Sequence, residues 1–92
     1  MTVRWTPTAA RDLESLHAYV AQDHAAAAAT VVDRLLAAIE ALSRHPDMGR
    51  RGRVPSTREL IVPPFVVAYR VIRDAVEILG IIHGARRWPD SF

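Results

Sequence analysis

The sequence predicts an α+β fold in which a hairpin of two helices packs on one face of a mostly antiparallel sheet. Apolar residues recur at helical spacing through the first half of the chain, and short β-branched runs replace them in the second half. Proline and glycine mark the boundaries between those runs. Helices grouped early and strands grouped late are typical of a layered α+β domain. Because 92 residues leave room for one core, we expect a single domain over residues 1–92.

The chain is predicted to begin with a short strand and an amphipathic helix. Residues 2–5 place Val3 and Trp5 on one face of a strand. Thr6 can cap the helix that follows, and a proline suits the first helical position because its missing N–H has no partner there. The apolar stripe of this helix predicts an end near Asp23.

The second predicted helix and the segment after it differ in composition. Asp23 is placed to cap this helix, which begins in the alanine run 25–29 and cannot pass Pro46. A tight link between the two helices predicts an antiparallel hairpin. From Asp47 to Pro55 the chain is rich in glycine and arginine and has no apolar period, so we expect an exposed loop.

Three strands are predicted in the remaining chain, at 57–62, 65–72 and 75–83. Pro63-Pro64 cannot donate ladder hydrogen bonds and must lie at a strand end. Arg73-Asp74 is a natural hairpin tip between two β-branched runs. The run from Phe65 to Tyr69 is apolar on both faces, as a central strand would be. The prediction is therefore an N-terminal strand, a two-helix hairpin and a three-stranded antiparallel meander.

Charge and composition restrict the class of protein. Residues 1–48 carry four arginines against six acids, whereas residues 49–92 carry eight arginines against four acids. The second half therefore favours an anionic partner. The chain has no cysteine, which excludes disulfides and thiolate metal sites. It has no apolar run that could span a membrane and no signal-peptide core at its start, so we expect a cytoplasmic protein without a membrane partner.

The sequence predicts no cofactor and no metal site. The histidines form no pair at the i,i+3 or i,i+4 spacing that suits a metal on a helix. No glycine-rich phosphate loop follows a strand and opens a helix. A plain DNA-binding module would need a recognition helix that carries arginine, whereas both predicted helices lie in the acidic half.

Four short strings, in this order, resemble the RelE/ParE family of bacterial toxins. They are Pro46-x-x-Gly49-Arg50, Thr57-Arg58-Glu59-Leu60, Tyr69-Arg70-Val71, and Val76-Glu77-Ile78-Leu79 leading into His83-x-x-Arg86-x-Trp88-Pro89. The order of elements is similar too, and the resemblance covers essentially the whole chain. It implies a cytoplasmic toxin of a type II toxin–antitoxin module of the plasmid-stabilisation kind. It also implies a heteromeric complex with a small DNA-binding antitoxin that folds onto the toxin.

The resemblance leaves two activities open, because fold does not choose between them. RelE-like members cut messenger RNA on the ribosome, and ParE-like members act on DNA gyrase as inhibitors without chemistry of their own. The pattern of helices and strands is closer to ParE-like members. The chain also has no lysine, whereas several RelE-like nucleases use lysines beside the scissile phosphate. Gyrase inhibition is the favoured interpretation, and ribosome-dependent mRNA cleavage is the alternative.

The nuclease alternative needs proton-transfer groups and cations around the phosphate. Its candidate catalytic residues are His83, Arg58, Arg70 and Arg86, with Tyr69 as a possible second proton donor. Successive strand residues point to opposite faces, so Tyr69 and Arg70 cannot share one site unless the strand is bulged. Arg70 could instead be buried and paired with Glu59 or Glu77. His83 could simply hydrogen-bond the neighbouring backbone.

The gyrase interpretation needs only a recognition surface. The residues predicted to bind the target or the antitoxin are Arg50, Arg51, Arg53, Arg86, Arg87, Trp88 and Phe92. Arginine and tryptophan frequently anchor protein interfaces. The loop arginines could equally belong to a solvated loop. The tail, residues 86–92, could fold back and place Trp88 in the core.

Overall fold

The computed structural model describes residues 1–84 and 88–92 and confirms the α+β class. Its elements are β1 (Thr2–Trp5), α1 (Pro7–Asp23), α2 (Ala25–Ala41), β2 (Arg50–Arg51), β3 (Arg58–Val62), β4 (Phe65–Ile72) and β5 (Ala75–His83). The bounds of β1, α1, β4 and β5 agree with the predicted ones, and β3 begins one residue later than predicted.

The strands form one five-stranded mixed sheet in the order β1-β5-β4-β3-β2. β4 is central, as its two apolar faces predict. β3, β4 and β5 form the predicted antiparallel meander. β1 runs parallel to β5, with Thr2 opposite Ala75 and Trp5 opposite Ile78. The meander is therefore extended by a strand at each edge, and the sheet is mixed.

The segment from Asp47 to Pro55 is more ordered than the predicted exposed loop, and that prediction is wrong in part. Arg50 and Arg51 form β2, which pairs antiparallel with β3 and makes the sheet edge. Gly49 and Val54 in the same segment are buried. A two-residue strand with exposed side chains has no apolar period, so periodicity could not detect it.

The two helices follow each other with one residue between them. Thr6 caps α1 as predicted. The predicted cap of α2 is wrong: His24, not Asp23, accepts the hydrogen bond from the Ala27 N–H, at 3.0 Å from its Nδ1. Asp23 still belongs to α1, and His24 is the first residue with extended backbone angles. α2 ends at Ala41, before the proline predicted to stop it. Over residues 1–84 and 88–92, no helix is long and apolar enough to cross a membrane.

The helices cover one face of the sheet and bury the core there. Tyr69, Val67 and Ile78 of the sheet form one cluster with Leu35 and Ile39 of α2. Since alternate strand residues point to opposite faces, the residues next to these in each strand point away from the helices. The side away from the helices is named the second face. Its charged residues, placed by cross-strand pairing, are Arg4, Arg50, Glu59, Arg70 and Glu77.

A β-bulge interrupts the ladder between β4 and β5, where Leu79 is the additional residue of β5. α1 is tied to β5 on both sides of the bulge. The Thr6 hydroxyl donates to the Ile78 carbonyl at 2.8 Å, and the Asp12 carboxylate accepts the Ile81 N–H at 3.0 Å. These two hydrogen bonds fix the helical layer relative to the sheet.

Candidate functional site

Tyr69 anchors the segment that leads into β2. Its hydroxyl donates to the Pro46 carbonyl at 2.7 Å and accepts from the Gly49 N–H at 2.9 Å. Burial raises the pKa of this phenol above its ordinary 10.0, although the Gly49 hydrogen bond and the Arg58 charge act in the opposite direction. The hydroxyl proton is therefore donated to the Pro46 carbonyl, and Tyr69 lines neither the arginine-lined cleft nor the cleft beside His83 described below.

Three of the predicted site residues come together beside this segment. A cleft of about 410 Å³ is lined by Arg51, Ser56, Thr57, Arg58, Arg70 and Val71. Arg58 is held there by its Nη1 atom, which donates to the Gly49 carbonyl at 2.7 Å. Guanidinium groups suit phosphate or carboxylate ligands. Arginine stays charged and cannot act as a base, so these lining residues can bind an anion but offer no strong proton acceptor.

Arg70 pairs with an acid, which is one of the alternatives that the sequence left open. Its Nε donates to Oε1 of Glu77 at 2.7 Å, and Arg4 approaches the other carboxylate oxygen at 3.8 Å. The Arg70 side chain is 46% exposed, so this is a surface ion pair and not a buried one. Such pairs contribute about 0–1 kcal/mol to stability. Glu77 therefore partly neutralises the charge of Arg70 beside the arginine cleft.

His83 lies at the opposite end of the meander. It pairs with Phe65 across the ladder, and the two rings meet edge to face at 5.7 Å. Arg58 pairs with Tyr69, four residues further along β4, which places the arginine cleft about 13 Å away along the strand. His83 lines a different cleft of about 460 Å³ between the helices and the β3–β4 turn, together with Asp12, Ser15, Tyr19, Val31 and Phe65.

Glu59 holds the two arginines at the start and end of the β2 loop. Its side chain is 2% exposed and accepts hydrogen bonds from the Arg50 side chain and from the backbone and side chain of Arg53, at 2.9–3.3 Å. Burial raises the pKa of this carboxyl, but the hydrogen bonds from Arg53 and Arg50 outweigh burial, so the pKa lies below its ordinary 4.5.

The tail returns to the same loop. The guanidinium carbon of Arg53 lies 4.0 Å from the centre of the Trp88 ring, which is cation–π geometry. Trp88 is half-buried, and Phe92 is 46% exposed. Trp88 and Phe92 are therefore neither fully exposed nor inserted into the core, which is intermediate between the two arrangements that the sequence allowed.

The structure divides the predicted site residues into groups. Arg51, Arg58 and Arg70 share one cleft, and Arg50, Arg53 and Trp88 meet around Glu59. Arg86 and Arg87 lie outside the described residues. Phe92 lies against Gly80: a Cβ built on that glycine would be 3.1 Å from a ring carbon of Phe92.

Sequence reasoning missed the organising role of Glu59, which it considered only as a partner for Arg70. A signal was present, because Glu59 directly precedes the apolar run 60–62 in the strand and follows several arginines. A carboxylate in such a strand is buried only when it is paired. Over the described part of the chain, no group of three or more His, Cys, Asp or Glu residues is arranged to hold a metal ion.

Comparison with known sequences places the chain in a family. The family described as the ParE toxin of the type II toxin–antitoxin system parDE matches residues 3–88. Toxin Y4kP of Sinorhizobium fredii is 45% identical over 89 residues, which are 95% of this chain and 92% of that protein. Toxin RelE2 of Caulobacter vibrioides is 34% identical over 84 residues, which are 91% and 96% of the two chains.

Solved structures share the fold. A chain of the chromosomal ParDE toxin–antitoxin system from P. aeruginosa superposes with a TM-score of 0.79 and 28% identity, over 90% of this chain and 95% of that one. A chain of the RelBE2 toxin–antitoxin complex from Mycobacterium tuberculosis superposes with a TM-score of 0.62 and 31% identity, over 89% and 95%. These similarities span nearly the full length of both partners. The chain therefore belongs to the ParE toxin family of type II toxin–antitoxin systems.

Proposed function

We propose that this toxin stops growth by binding DNA gyrase and inhibiting it, without chemistry of its own. The observation that carries the proposal is the separation of His83, the one imidazole candidate, from Arg51, Arg58 and Arg70. His83 and the arginine cleft lie about 13 Å apart along β4. RNA cleavage needs a base and an acid within hydrogen-bond reach of the reacting oxygens. The separation supports a toxin that acts by binding.

Ribosome-dependent mRNA cleavage is the second candidate function. The cleft lined by Arg51, Arg58 and Arg70 favours it, because guanidinium groups could hold an RNA phosphate. Relatives of this chain also carry the name RelE. This function would need a proton-transfer group that reaches the cleft from elsewhere, since arginine remains charged.

The proposed partner is a small DNA-binding antitoxin that folds onto the toxin in a heteromeric complex. The solved neighbours are themselves toxin–antitoxin systems. The cleft beside His83 offers a partly apolar surface, in which Phe65 is half-buried and Tyr19 is 71% exposed. An amphipathic segment that orders on binding would bury these rings.

The test of the proposed target is induction of the chain alone in a bacterial host, with DNA replication and translation followed separately in time. Gyrase inhibition is expected to stop DNA synthesis first, with filamentous cells and a DNA-damage response. The purified chain is expected to inhibit supercoiling by DNA gyrase. Early translation arrest with cut messages would contradict this proposal and favour the nuclease.

His83→Ala separates the two functions by mutation. Gyrase inhibition by binding predicts that this variant still arrests replication, whereas RNA cleavage through His83 predicts that toxicity is abolished. His45→Ala is the matched control, since His45 is an exposed histidine away from both clefts. A variant that loses toxicity while the control retains it would point to His83 chemistry.

A further inference from the structure

We infer that Glu59 is a positioning residue that joins Arg50, Arg53 and Trp88 into one recognition surface for acidic side chains of a protein target. These three residues are named the Arg–Trp surface. The inference rests on the proposed function, because it assigns this surface to the target of a toxin that acts by binding. It specifies that Glu59 organises the contact with the target, and that the target presents acidic side chains.

The hydrogen bonds of Glu59 define the positions of both arginines. Arg53 donates its backbone N–H and its Nε to Oε2, at 2.9 and 3.2 Å, and its Nη2 to Oε1 at 3.3 Å. Arg50 donates Nη2 to Oε1 at 3.0 Å. An exposed arginine normally samples many rotamers. A buried carboxylate is costly to leave unpaired, so it holds these guanidinium groups in place.

Arg53 connects the Glu59 carboxylate to Trp88 in the tail. Its Nε donates to the Glu59 carboxylate, and its guanidinium carbon lies over the Trp88 ring at 4.0 Å from the ring centre. A guanidinium group held in place by a carboxylate can make a fixed cation–π contact with an aromatic ring. The loop and the tail are far apart in sequence, and this contact makes them one surface.

Exposure and charge indicate the kind of partner. The side chains of Arg50 and Arg53 are 58% and 48% exposed, although both contact Glu59. Two guanidinium groups against one carboxylate leave a net positive charge beside a half-buried indole. Arginine and tryptophan are among the residue types that most often anchor protein interfaces. A protein segment with carboxylates and an apolar side chain fits this composition.

The first test needs no target. Trp5→Phe leaves Trp88 as the single tryptophan of the full-length chain. Glu59→Gln in this background is expected to increase quenching of Trp88 fluorescence by acrylamide, because the carboxylate no longer holds Arg53 against the ring. Unchanged quenching would overturn the inference, whatever the target of the toxin proves to be.

Glu77→Gln is the matched control. Glu77 is a carboxylate on the same second face, paired with Arg70 and Arg4, and it makes no hydrogen bond to Arg53 among the contacts of residues 1–84 and 88–92. It is expected to leave Trp88 quenching unchanged, and an increase equal to that of Glu59→Gln would contradict a specific role for Glu59. If Glu59→Gln does not unfold cooperatively, Arg53→Lys replaces it, since lysine keeps the charge but loses the fork and the stacking.

The second test measures recognition in the chain with its native Trp5. Glu59→Gln is expected to raise the concentration needed to inhibit gyrase supercoiling by about ten-fold or more, as loss of an organised anchor does. The double variant Glu59→Gln/Trp88→Ala is expected to raise this inhibitory concentration by less than the product of the two single-variant factors. Both substitutions then act through one surface. Full multiplication of the two effects would contradict a shared surface.

The remaining outcomes separate this inference from the proposed function. If the native chain does not inhibit gyrase, only the proposed function is contradicted. The quenching result still decides whether Glu59 positions Arg53 against Trp88. Increased quenching with unchanged gyrase inhibition would overturn the recognition role while the proposed function stands. Tight binding to DNA or RNA alone, weakened by Glu59→Gln, would overturn the assignment to a protein target.

Discussion

Gly49 and Tyr69 approach each other so closely that neither position tolerates much change. A Cβ on Gly49 would lie 2.7 Å from the Tyr69 hydroxyl oxygen and 2.9 Å from the Glu59 carbonyl oxygen. Glycine is therefore required here for close approach. In the string Pro46-x-x-Gly49-Arg50, the Pro46 carbonyl and the Gly49 N–H hydrogen-bond Tyr69, and the Arg50 side chain hydrogen-bonds Glu59.

Gly49→Ala is expected to lower the free energy of unfolding by about 1–3 kcal/mol, because an added methyl overpacks the Tyr69 contact. Urea unfolding followed by circular dichroism measures the change. Gly84→Ala is the control, since its Cβ would meet the Pro64 carbonyl oxygen at a longer 3.3 Å. Equal losses in the two variants would show that the Tyr69 contact is not the cause.

The lowered pKa of Glu59 makes stability depend on pH. Its folded-state pKa lies below the ordinary 4.5, so its contribution is complete at neutral pH and is lost as pH falls from about 4.5 through the folded pKa. The unfolding free energy of the native chain is expected to fall more steeply than that of Glu59→Gln over this range. Urea unfolding at a series of pH values measures both curves, and parallel curves would contradict the linkage.

At the scale of elements, Thr6 both caps α1 and joins it to β5. Its hydroxyl oxygen accepts the Ala9 N–H at 3.1 Å and donates to the Ile78 carbonyl at 2.8 Å, next to the bulge. Local sequence predicts the capping contact. The second contact joins residues 72 positions apart and depends on how the helix layer sits on the sheet.

Thr6→Ala is expected to lower the free energy of unfolding by about 1–3 kcal/mol, since it removes a helix cap and a tertiary hydrogen bond. Thr6→Ser keeps the hydroxyl and should retain most of this stability. His24→Ala removes the α2 cap, an exposed contact without the tie to the sheet, and should cost less. Thermal unfolding compares the three variants. A loss in Thr6→Ala no larger than in His24→Ala would mean that the Ile78 contact adds nothing.

At the scale of the whole molecule, the surfaces described above lie at two ends of the sheet. The arginine cleft and the Arg–Trp surface lie near the β2 edge, and the cleft beside His83 lies at the other end of the meander. The main core is built from residues between Val3 and Ile81. The tail contributes contacts to the surface rather than to this core.

Deletion of residues 86–92 is therefore expected to preserve cooperative unfolding and to abolish growth arrest. The fold is expected to survive because, among the described residues, the main core cluster includes none of 88–92. Toxicity is expected to be lost because the deletion removes Trp88 from the Arg–Trp surface. Chemical denaturation and induction in a bacterial host measure the two effects. Loss of a cooperative transition would show that the tail is structural.

Much of the fold could be predicted from local patterns. Helical spacing, strand alternation and proline positions predicted the bounds of β1, α1, β4 and β5 and the central place of β4. Four strings in order predicted the family, which the comparisons confirm. These features were accessible because each depends on residues within a few positions of one another.

The tertiary structure alone decided how the candidate residues group. β2, the His24 cap and the parallel place of β1 leave little or no periodic signal in the sequence. The sequence supplied the arginines, His83 and the tail, but their grouping depends on register. Glu59 contacts Arg50 and Arg53 because β2 and β3 pair in one register. His83 lies apart from Arg58 because the two residues pair with β4 at positions four residues apart. Such contacts join residues distant in the chain, and only the folded backbone brings them together.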